Sequence, residues 1–133
     1  MKQMSIDEVW DYHAGCVWIF VVRGDLDAYL STDLRDRLAR ALTDSPDELL
    51  VDLEEVTFMD ASAVGVLVAA FEKARASGTV LRLVAPSASA RRLLQLTQTE
   101  GIFPIEADLA VAYARAAEPT DDLQRITGCE DAA

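Results

Sequence analysis

Residues 49–70, "LLVDLEEVTFMDASAVGVLVAA", change their apolar period part-way along, and that change decides the fold. The run "ELLVDL" follows a break at "DSP" and meets the acidic pair Glu54 and Glu55, which predicts a short buried strand ending at those acids. After "VTFMD" a helix is predicted from about Ala61 to Ala76, closed by Ser77 and Gly78 where a left-handed C-cap is favoured. Asp60 stands where the free N–H groups of a first turn need an acceptor, and the helix dipole favours an anion there.

Outward from this unit the same alternation repeats. Residues 9–12 are a short extended run, "HAG" offers a turn, and "CVWIFVVRG" is rich in Val, Ile and aromatic residues, so a two-stranded hairpin is predicted. The continuous apolar character of its second strand places that strand inside the sheet, covered on both faces. "STDLRDRLARAL" offers Ser31 and Thr32 as caps and repeats Leu34, Leu38 and Leu42 with charges opposite, the pattern of an amphipathic helix. "TVLRLVA" reads as a strand ended by Pro86, and "SASARRLLQLTQ" as a helix starting from Ser87 or Ser89. "GIFPIE" reads as a short extended piece, and "DLAVAYARAA" as a last helix capped by Asp108 or the residue before it. The expectation is an α/β fold: a mixed β-sheet with helices packed on it.

A chain of 133 residues, 51% of them hydrophobic, is long enough for one core and too short for two ordinary domains. We expect one domain over residues 1–118 and an acidic, mobile tail over 119–133, where apolar residues are few. Twelve basic against 23 acidic residues, a formal charge of −11, supply no positive field for phosphate backbones, which argues against nucleic acid. No stretch approaches the roughly 20 apolar residues of a membrane span, and acids interrupt the N-terminus where a signal peptide is apolar, so a cytoplasmic protein without membrane insertion is expected. Cys16 and Cys129 lack metal spacing and read as free thiols, and the single histidine, His13, reads as a polar turn residue; no cofactor or metal is implied. Composition sets no oligomeric state.

Ser62 raises the question of chemistry. A serine nucleophile needs a base within hydrogen-bond reach, yet the one histidine lies in a predicted turn far along the chain, and "MDASAVG" lacks the glycines of a G-x-S-x-G elbow. Paired carboxylates on one face and glycine-rich phosphate loops are missing too, so no enzyme and no catalytic residue is expected. On a helical wheel Val64, Leu67, Val68 and Phe71 face the sheet, whereas Ser62, Val66, Ala69 and Lys73 lie on the far side. That far side carries more small apolar surface than solvation needs, and such a patch suits a partner. Asp60 on its own reads as a helix cap.

Two segments, "RGDLDAYLSTDLRDRL" and "LLVDLEEVTFMDASAVGVLVAA", together resemble the STAS domain of bacterial anti-sigma-factor antagonists. The first is similar to the family's Gly-Glu-Leu-Asp before its first helix, the second to its central strand, loop and helix, and the resemblance covers about residues 17–114. It implies a single STAS-type domain that binds an anti-sigma factor, itself a histidine-kinase-like serine kinase, and so releases a sigma factor for transcription. In the family an Asp-Ser-Ser/Thr-Gly-Leu-Gly segment starts the second helix, and the partner kinase phosphorylates the first hydroxyl residue after the Asp. Here Ala61 occupies that position, Ser62 aligns with the next, Ala63 replaces the first glycine, and Val64 with Gly65 keep the apolar-Gly pair.

The resemblance thus implies a partner surface of Asp27, Asp60, Ala61, Ser62, Val66, Ala69 and Lys73, with Ser62 the phosphorylation candidate. Asp27 enters because it matches the family's acidic residue; by its own chemistry it reads equally as a solvated loop acid. Phosphorylation of Ser62 is expected to be slow or absent, because one residue of shift rotates a helical side chain by about 100°. The alternative left open is a regulatory or scaffold STAS subunit of another complex, such as a lipid-transport or stress-sensing assembly.

Overall fold

The computed structural model describes residues 5–11 and 17–116. His13, Cys16, Cys129, the predicted "HAG" turn and the tail from residue 119 lie outside the described residues.

Strands β1 (Ser5–Asp11) and β2 (Val17–Leu26) form the expected antiparallel pair. The chain then alternates through helix α1 (Ala28–Leu42), strand β3 (Glu48–Met59), helix α2 (Ala61–Ala76), strand β4 (Val80–Val84) and helix α3 (Ala88–Leu96). A single 3-10 turn, Glu100–Ile102, precedes strand β5 (Ile105–Glu106) and helix α4 (Leu109–Ala116). The sheet runs β1-β2-β3-β4-β5 in space, with β2 to β5 parallel, so successive right-handed crossovers put α1, α2 and α3 on one face.

Strand alternation builds the two sides. Phe20, Val22, Leu49, Val51, Leu53, Leu81 and Leu83 turn to the helix-covered face, where Leu34 and Leu38 of α1, Leu67 of α2 and Leu94 of α3 close the main core. Val17, Ile19, Leu50 and Val84 point the other way and meet Ala112 of α4 in a smaller cluster. Both faces of β2 are therefore covered, as its apolar run implies. Arg82 reaches Glu48 at 2.9 Å and Glu106 at 3.6 Å, and Arg115 also pairs with Glu106, tying β3, β4, β5 and α4 together.

Three expectations need correction. Ser31 and Thr32 do not cap α1: Asp27 does, in extended conformation, its carboxylate accepting from Leu30 N at 3.0 Å, so the helix begins at Ala28. Nor does β3 end at Glu54 and Glu55. Its outer half pairs with β2 as far as Leu26 opposite Met59, past a bulge at Gly24 (φ +88°). Glu55 stands in that ladder opposite Arg23 and bonded to it at 3.0 Å, Glu54 falls at a register shift just before it, and Leu53, Val56 and Met59 carry the buried side. Finally, "GIFPIE" is part 3-10 turn and only its end is strand. The bounds of α2, the Ser87 cap of α3 and the Asp108 bond to Val111 N match the sequence reading.

Candidate functional site

Parallel strands β2 and β3 deliver the chain at the same edge of the sheet into α1 and α2. Asp60 N donates to Leu26 O at 3.2 Å, so the start of α2 is fastened to the end of β2. Asp60 is the N-cap of α2, extended at φ −108° and ψ 176°. Its Oδ1 accepts from Ser62 N at 3.0 Å, from Ala63 N at 3.3 Å and from the Ser62 hydroxyl. Ser62 Oγ also lies 3.2 Å from Ser31 Oγ of α1, and Ser31 is buried.

The structure brings Asp60, Ala61 and Ser62 together at one helix start, with the Ala61 methyl exposed and hydroxyl-free. Asp27 sits at the start of the neighbouring helix with its carboxylate engaged in capping, the local role its residue type suggests. The far face of α2 is less simple than the wheel implies. Val66 is half-buried and packs on the main core, while Ala69 and Lys73 are exposed. Val66, Ala69, Ala70 and Lys73 line a groove of about 250 Å³ with Leu42 and Arg35 of α1, so this side faces α1 as well as solvent.

The inward face is rotated from expectation too. Val64 and Leu67 are buried, but they share the inner side with Ala63, Ala70 and Ala74, and Val68 and Phe71 are half-buried. Phe71 meets Phe103 edge-on at 5.6 Å, leaning towards the segment after α3. Alanines on the inner side let α2 approach the sheet closely around Leu67, and Val68 and Phe71 stand at the flank.

Gly65 faces open space, and a Cβ placed there would meet nothing within 4 Å. With Ala61 and Ala69 it leaves the exposed side of α2 low and nearly flat. Sequence reasoning missed three contributors near this edge: Ser31, assigned as a cap; Phe58, 48% exposed; and Tyr29, 84% exposed. The alternation of β3 signals Phe58 once the strand is extended to Met59; the other two carry no sequence signal.

Among the described residues no group of His, Cys, Asp or Glu could hold a metal ion, and no helix is long and apolar enough to cross a membrane. The site's groups are carboxylates, the hydroxyls of Ser31 and Ser62, the Lys73 ammonium and apolar surface, an arrangement suited to contact.

Comparisons with known proteins place these features. A family model described as the STAS domain matches residues 11–112. The chain is 32% identical over 85 residues to an anti-sigma-B factor antagonist of Listeria monocytogenes, covering 64% of this chain and 75% of that protein. It is 30% identical over 86 residues to the anti-sigma-B factor antagonist of Bacillus subtilis, covering 65% and 78%. A crystal structure of an anti-sigma factor antagonist from Mycobacterium paratuberculosis superposes with a TM-score of 0.72 at 27% identity, covering 86% of this chain and 96% of that one. All three carry the name of anti-sigma factor antagonists.

Proposed function

The chain belongs to the STAS domain family, and from that premise we propose that it is an anti-sigma-factor antagonist, releasing a sigma factor for transcription by binding an anti-sigma factor and not by catalysis. The relatives favour this over a subunit of a lipid-transport or stress-sensing assembly. The domain runs over residues 1–118 and works in the cytoplasm. Its partner is a histidine-kinase-like serine kinase, met by Asp60, Ala61, Ser62, Val66, Ala69 and Lys73 on α2, with Asp27 contributing through the start of α1.

The observation that carries the reading is the uncovered face of α2. Ala61, Gly65 and Ala69 expose little but methyl and backbone surface beside a firmly capped helix start. A rigid, low, weakly polar surface costs little to desolvate and suits close packing by a partner.

Ala61 sets this chain apart in regulation. A kinase that reaches position 61 would find Ser62 rotated by about 100°, outside the 3–3.5 Å in-line approach that phosphoryl transfer requires. The antagonist is thus competent without dephosphorylation, and its control lies in abundance or in a further partner. A reconstituted mixture of sigma factor, anti-sigma kinase and this chain tests both statements. Added chain should restore sigma-dependent transcription, and with ATP present mass spectrometry should find no phosphate on Ser62 within minutes. Failure to release any host sigma factor would remove the antagonist reading, and rapid stoichiometric phosphate on Ser62 would remove the regulatory one.

A further inference from the structure

Ser31 is the fourth residue of α1 and only 3% exposed, yet it carries a hydroxyl into the contact between α1 and α2. That hydroxyl lies 2.9 Å from Ala28 O and 3.2 Å from Ser62 Oγ, while Ser62 Oγ also meets Asp60 Oδ1. Three contacts are thus served by two protons, since each serine hydroxyl has one. A carboxylate oxygen facing an unprotonated lone pair is repulsive, so the Ser62 proton goes to Asp60. Ser31 must then be the donor in the contact between the two serines, sharing its proton between Ala28 O and Ser62 Oγ.

Ser62 Oγ is therefore held twice, its proton by Asp60 and one lone pair by a buried donor. Transfer to this oxygen would form the Oγ–P bond, break the bond between the γ-phosphorus and the β,γ-bridging oxygen of ATP with ADP leaving, and pass the hydroxyl proton to Asp60. The attacking lone pair must point at the γ-phosphorus in line. The lone pair that meets Ser31 points into the helix contact, where no nucleotide can stand. The second lone pair of Ser62 Oγ is then the one left for attack in this rotamer, and an approach from any other direction requires Ser62 to turn about χ1 and leave Ser31.

We propose that Ser31 is a positioning residue for Ser62, holding its hydroxyl in the rotamer turned towards α1 and so withholding the motif's single hydroxyl from phosphoryl transfer. The proposal rests on the reading of α2 as the face met by a kinase-type anti-sigma factor, and it adds a second restraint on Ser62 to its rotation from position 61. Ser31 shapes the site through Ser62 and is not itself a phosphate acceptor. Helix cap, rotamer and regulation are thereby linked in one contact across 31 residues of sequence.

The rotamer is read on the full chain without any partner, from the three-bond Hα–Hβ couplings of Ser62 in solution. The parent should show one rotamer, and Ser31→Ala should show couplings averaged over several. Alanine is the better helix former, and the remaining amide spectrum reports that the fold is kept. With an anti-sigma kinase that phosphorylates Ala61→Ser, the Ser31→Ala variant should take up phosphate on Ser62 roughly tenfold faster than the parent or more. Averaged couplings in the parent, or an unchanged single rotamer in Ser31→Ala, overturn the positioning role whatever the partner is. A rotamer released with no gain in phosphate from that kinase overturns the withholding role. If no anti-sigma factor binds the parent, the partner reading fails by itself, and the couplings still decide what Ser31 does.

Discussion

Helices α1 and α2 start side by side with the same device, an extended Asp at the N-cap, and then part company. Asp27 accepts from one backbone N–H, whereas Asp60 accepts from two and from the Ser62 hydroxyl. The exposed side of α1 carries Tyr29 in its first turn and then Asp33, Arg35, Asp36 and Arg40, with Arg37 and Asp33 paired at 3.2 Å, and solvation accounts for these charges. The exposed side of α2 carries Glu72, Lys73 and Arg75 in its last turns, but Ala61, Gly65 and Ala69 with Ser62 along its first nine residues, and nothing among the described residues calls for the glycine. Two helices with equivalent inward tasks thus differ on the outside, and a partner of α2 is the physical reason that fits.

The first way to break the comparison is on the inside. Leu38→Ala and Leu67→Ala each remove a fully buried side chain from the same core, so each should cost about 2–5 kcal/mol in denaturant unfolding. A cost well below that for Leu67 alone would mean that α2 is docked loosely and that its outer face is not a rigid surface.

The caps come next in size. Asp60→Ala and Asp27→Ala should each lose about 0.5–2 kcal/mol, with Asp60 the larger because three donors lose their acceptor instead of one. Equal losses would mean that neither the second N–H nor the Ser62 hydroxyl adds to the start of α2.

The smallest effect has the opposite sign. Gly65→Ala should stabilise the fold by about 0.5–1 kcal/mol, since the added methyl meets nothing within 4 Å among the described residues and glycine is the poorer helix former. The same methyl should weaken anti-sigma binding, because it raises the surface that the partner approaches. Stabilisation with unchanged binding would place Gly65 outside the contact.

How much of this is legible in the sequence follows from where the signals lie. Both ends of α2 carry local chemistry, Asp60 at one and Ser77 with Gly78 (φ +81°) at the other, and its bounds can be read directly. The start of α1 cannot, because Asp27, Ser31 and Thr32 are all good cap residues within six positions and preference alone does not rank them. The outer half of β3 depends on Arg23 and Asp25, each bonded to a residue 32 positions away, so the acidic pair that looks like a strand end lies within the strand, with Glu55 a ladder partner of Arg23. The place of the site came from the family resemblance and from the cap chemistry of Asp60. Its geometry did not, since the contact between Ser31 and Ser62 and the turn of Val66 towards α1 exist only once the two helices pack.

The central claim is that the exposed face of α2 is where the anti-sigma factor binds, and Ala69→Arg tests it most directly. Ala69 is exposed and lines the groove beside α1, so the variant should keep its stability within about 0.5 kcal/mol. Equilibrium titration of parent and variant against the host's histidine-kinase-like anti-sigma factors should show one that binds the parent and loses roughly tenfold or more in affinity for the variant. A folded variant that binds the same factor as tightly as the parent would contradict the account.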